Sequence, residues 1–174
     1  MHRALPAALL STALLLLSPA AATAGSTPRA TATRAVHGAA ARSHDVRLAL
    51  SVAESFWAAT PCGGRITVTA SQPVPAGMAP DTDAWVTFGS SLGEDDLEAP
   101  ASTYTSCRIG LARWQWPTAA AIGSDWNMFC LTVVHEVGHL LGHPHSTVPG
   151  SVMAPVFTGE ASVPEICRRA KRRS

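Results

Sequence analysis

HEVGHLLGHPH, residues 135–145, carries four histidines, and three of them fall at intervals that bring their side chains together on a helix and the turn after it. If residues 126–141 are helical, His135 and His139 project from one face, about one turn apart. Gly142 can enter the left-handed conformation and stop the helix, and Pro144 biases His143 away from helical angles, so the chain turns back. His145 then arrives beside the other two. Three convergent imidazoles are a donor set for zinc, and Glu136, next to the first of them, can reach a water on the metal's open position. The short pattern HExxH arises by chance in helices rich in His and Glu. The longer HExxHxxGxxH fixes five residue types, which chance rarely meets. His143 occupies no ligand position and reads as a partly exposed side chain.

Outward from the histidines, Ser151-Val152-Met153-Ala154-Pro155 follows, with Met153 eight residues after His145. Together these segments resemble the zinc signature and Met-turn of the metzincins. The link from His145 through Ser146 to Gly150 is similar to the matrixin type, in which a serine directly follows the last ligand. Astacin-like members carry a tyrosine shortly after the methionine, where this chain has Ala154 and Pro155. The resemblance implies a small α+β endopeptidase domain acting on protein or peptide substrate, with one catalytic Zn2+ on His135, His139 and His145 and with Glu136 as general base. It also implies Met153 as a packed floor under the ligands and Pro155, Val156 and Phe157 as the wall of the pocket just after the scissile bond. Residues Ile109 to Ala112 are expected, by the same analogy, to form a sheet edge that pairs with extended substrate.

Two rival readings keep the zinc. In a thermolysin-like arrangement the third ligand is a downstream glutamate, Glu160 or Glu165, which leaves Gly142, His145 and Met153 unexplained. The other is a secreted, zinc-stabilised binding module without catalysis. Glu136 argues against it, because a purely structural site has no need of a base beside an open metal position.

The chain of 174 residues begins with Met1-His2-Arg3, an apolar stretch from Leu5 to Leu17 and the small-residue site Ala22-Thr23-Ala24. This pattern reads as a signal peptide over 1–24 and implies secretion, and no stretch is long and apolar enough to predict a membrane span. Residues 25–43, rich in Ala, Thr, Ser and Arg, cannot bury enough surface to fold alone and read as a linker or short propeptide. A matrixin-type propeptide would hold a cysteine against the zinc, but no cysteine precedes Cys62. Residues 44–167 form the catalytic domain, and 168–174 a basic tail.

Between His44 and Cys167 the four basic residues Arg47, Arg65, Arg108 and Arg113 face twelve carboxylates, a formal charge of −8. An acidic body argues against nucleic acid as a partner, and a monomer is expected. The acidic loop with Glu94, Asp95, Asp96 and Glu98 offers oxygen ligands to Ca2+, but its spacing matches no EF-hand, and a solvated loop is the preferred reading.

Four cysteines in a secreted chain predict two disulfides. On a helical wheel Cys130 lies with Val134, Gly138 and Leu141, opposite His135 and His139, so it faces the core. That favours Cys130–Cys167 and leaves Cys62–Cys107. The remaining pattern predicts a helix over 45–58 with apolar residues at helical spacing, and strands at 65–70, 84–88 and 107–114. A short last helix is expected, opened by a capping box of Ser162 and Glu165.

Overall fold

The computed structural model describes residues 44–91, 100–156 and 162–171. The segments expected to be leader and linker, the acidic cluster Glu94 to Glu98, Phe157 and Glu160 lie outside these.

Helix α1 (residues 44–57) buries Asp45, Ala49, Val52 and Ala53, a stripe at helical spacing. It stops where Ala58 takes a positive φ of 49°, just before a 3-10 turn, Pro61–Gly64. Three strands follow: β1 (Ile66–Gln72), β2 (Ala84–Ser90) and β3 (Tyr104–Ala112). β3 runs parallel to β1 and antiparallel to β2, so the sheet order is β1-β3-β2.

This order corrects the expectation that Ile109 to Ala112 form an open edge. Ile109 stands between Val68 and Val86, and Gly110 between Thr69 and Trp85. Their backbone groups are thus engaged on both sides, and Ile109, Leu111 and Ala112 are fully buried. A run buried throughout is the mark of a central strand. Among the described residues the edges are β1 and β2.

A six-residue helix, α2 (Ala119–Ser124), precedes the long one; the Thr118 side chain caps it by accepting from the Ala121 N–H. Asp125 occupies the cap position of α3 (Trp126–Leu140), but its side chain makes no capping bond. Helix α3 is buried along almost its whole length, with Phe129, Val133 and Val137 in one core with Ile109 and Leu111. Its flank carries Cys130, bonded to Cys167 of α4 (Glu165–Lys171), and a second disulfide joins Cys62 to Cys107. Helix with small mixed sheet makes an α+β domain.

The capping box at the last helix is not formed. Ser162 Oγ is buried and has no hydrogen-bond partner among the described residues. The Pro164 carbonyl instead accepts from the N–H groups of Cys167 and Arg168, while the Glu165 carboxylate bonds Arg168 and Arg169, each at 3.1 Å. Arg168, Arg169 and Lys171 therefore belong to α4. Among the described residues no helix is long and apolar enough to cross a membrane.

Candidate metal centre and active site

The C-terminal end of α3 closes with two hydrogen bonds, from Gly142 N–H to the His139 carbonyl at 2.9 Å and from His143 N–H to the Gly138 carbonyl at 3.0 Å. This is a Schellman ending, and it requires the positive φ of 86° that Gly142 adopts. The reversal returns His145 to the face of α3 that holds His135 and His139.

There the Nε2 atoms meet: His139 lies 3.0 Å from His135 and 3.2 Å from His145. Three nitrogens each about 2.0–2.1 Å from one tetrahedral zinc stand about 3.3 Å apart. The donor set thus fits a zinc ion in both element type and spacing. Two of the rings are oriented from behind. His135 Nδ1 faces the Val152 carbonyl at 2.8 Å and His139 Nδ1 the His143 carbonyl at 2.9 Å. With the hydrogen on Nδ1 donated to a carbonyl, Nε2 keeps its lone pair free for a metal. Burial favours the neutral ring in both, pushing His135 down to about 4 and lowering His139 as well, with the neighbouring imidazoles adding to the effect. His135 is buried, His139 half-buried and His145 exposed, so the group opens to solvent on the His145 side.

Glu136 has only 5% of its surface exposed. Burial, with the negative charge of Asp83 adding to it, raises its pKa to about 8. Asp83 ends the loop before β2, and its own pKa is raised by burial, against the pull of its own and the Ala84 backbone N–H groups. Nothing in the sequence separated Asp83 from its neighbour Asp81, because the juxtaposition with Glu136 is made only when β2 packs on α3.

The Met-turn is tied to the same centre. Ser146 N–H donates to the Met153 carbonyl at 2.8 Å, and Met153 N–H to Ser151 Oγ at 3.2 Å. Met153 is buried, its sulfur packed against Gly138, where a β-carbon would overlap it. Pro155 and Val156, beyond the turn, are exposed. Glu165, one of the two glutamates weighed as third ligand, is engaged with arginines on α4 and stands outside the group of metal-capable side chains, which among the described residues is His135, His139 and His145.

Comparison with known proteins bears on this arrangement. No curated protein and no solved structure matches the chain. The matrixin family model matches residues 66–166, from β1 through the histidines and the Met-turn into α4, which is more than half of the chain. With its histidine triad built to hold a metal, the chain belongs to the matrixin family of metallopeptidases.

Proposed function

We propose that the protein is a secreted zinc endopeptidase in which His135, His139 and His145 hold the metal and Glu136 is the general base. The observation that carries this reading is the convergence of three Nε2 atoms, with the buried Glu136 next to the first of these histidines in the helix. Zinc, when bound, supplies a Lewis acid for the scissile carbonyl and the attacking water, and its charge favours the carboxylate form of Glu136.

Glu136 takes a proton from that water and passes it to the leaving amine nitrogen. Burial keeps its affinity for the proton close to what operation near neutral pH needs. Asp83, beside it, opposes loss of the proton and so strengthens the base. The two Nδ1 contacts hold the rings of His135 and His139 in place, which limits the motion of the site during proton transfer. Met153 supports the ligands from below without binding metal.

A protein or peptide substrate in extended form is read as adding to the edge strand β2, whose first residue, Ala84, follows Asp83 and so lies close to the base. Pro155, Val156 and Phe157 are read as the wall of the pocket after the scissile bond. Localisation outside the cell rests on the leader sequence and on the two disulfides.

The test is cleavage of a denatured protein by the mature chain, with and without a zinc chelator, beside Glu136→Ala. Chelation and the substitution are each expected to abolish cleavage. Activity surviving either one would overturn the assignment.

A further inference from the structure

Trp57, the last residue of α1, lies outside the segment that the matrixin model matches. Its indole nevertheless reaches the floor of the metal centre. Nε1–H donates to the Val134 carbonyl at 2.8 Å, one residue before His135. The ring edge passes so close to Gly138 that a β-carbon there would stand 2.8 Å from it. The imidazole of His143 stacks on the indole, at 4.5 Å between centroids and 18° between planes.

His143 is an exposed residue in the middle of the turn that delivers His145. Its backbone is engaged twice, by its N–H on the Gly138 carbonyl and by its carbonyl on His139 Nδ1. Any rotation of that peptide would move the acceptor that orients His139 and displace His145 two residues later. The backbone bonds alone leave the exposed turn free to fray, since solvent can compete for them. A side chain stacked on a ring that is itself hydrogen-bonded to α3 removes that freedom.

We propose that Trp57 and His143 act as positioning residues, a stacked strut from α1 that fixes the turn between α3 and His145 and so sets the zinc affinity of the site. The inference rests on the metal-centre reading above. It assigns a use to His143 through the plane of its ring, not through its charge.

Zinc affinity, measured by competition between the metal-free protein and a chromophoric chelator, is compared in wild type, His143→Ala and His143→Phe. The alanine variant is expected to bind zinc about three- to tenfold more weakly. Its metal-free melting temperature should change little, because the turn frays locally without unfolding the domain. The phenylalanine variant, which keeps a stacking face, should return to wild-type affinity. At saturating zinc the alanine variant should lose kcat with little change in KM. Wild-type affinity in His143→Ala, or failure of His143→Phe to restore it, would overturn the strut. Absence of zinc binding in wild type would instead remove the metal-centre reading, and the strut with it.

Discussion

Glu136 is a buried acid in the metal-free protein, and its stability should record this. The folded chain keeps the proton on Glu136 up to about pH 8, whereas an ordinary glutamate loses it near 4.5. Between those values unfolding releases a proton, so the stabilising effect of protonated Glu136 is complete below 4.5 and is lost as pH rises toward 8, by up to about 1.4 kcal/mol per pH unit. Glu136→Gln removes this dependence. Denaturation of the metal-free proteins should therefore find the variant gaining on wild type from pH 5 to pH 8, and parallel curves would show that Glu136 titrates as an exposed acid. Gly142 is the second residue whose conformation has a measurable consequence. At φ 86° a side chain is strained, so Gly142→Ala should cost about 1–2 kcal/mol and weaken zinc binding. Such residues were legible in the sequence because their chemistry is local: a helix repeat, a glycine before a proline, an acid beside a ligand. Asp83 and Trp57 were not, since each meets the site only through a fold that brings distant segments together.

At the level of elements, local signals located helix α3 and its end, the strands and the helix after the Met-turn. They did not reveal that β3 is central, because strand order depends on pairing between segments some forty residues apart. They also passed over α2, whose six residues are held by the Thr118 cap and by packing of Ile122 in the core. The Ser162 cap failed because Pro164 supplies the first carbonyl of α4 and Glu165 turns to its own arginines. Gly138 illustrates how an element is shaped by its neighbours. In an ordinary helix, Gly→Ala stabilises by up to about 1 kcal/mol. At this position the added methyl would overlap Met153 and press on Trp57, and overpacking costs about 1–3 kcal/mol. Gly138→Ala is therefore expected to be the less stable protein in chemical denaturation. A variant more stable than wild type would mean that Met153 and Trp57 give way freely.

In the whole molecule the Cys130–Cys167 bond joins positions 37 residues apart in sequence, and the loop it closes contains His135, His139, His145 and Met153. A zinc ion on those histidines and the disulfide would thus restrain the same part of the chain by independent means. The bond restricts the unfolded ensemble, and its removal from a small domain costs about 2–5 kcal/mol. A metal that binds the folded state alone adds about 2.7 kcal/mol when free metal stands at a hundred times its dissociation constant. Noncovalent contacts also hold α4 in place: Trp126 Nε1–H donates to the Cys167 carbonyl at 2.8 Å, and Lys171 lies 5.4 Å over the Trp126 ring and 3.8 Å from the Asp45 carboxylate. The ion pair is half-exposed and contributes little, so the indole bond and the buried cysteine side chains carry most of that attachment. The double variant Cys130→Ala, Cys167→Ala should accordingly fold, unfold cooperatively at lower denaturant when metal-free, and recover most of the loss on addition of zinc. Equal zinc increments in variant and wild type would establish that the bond braces the chain without shaping the site. A smaller increment in the variant would mean that α4, through Cys130 on the back of α3, also helps to hold the histidines on its front.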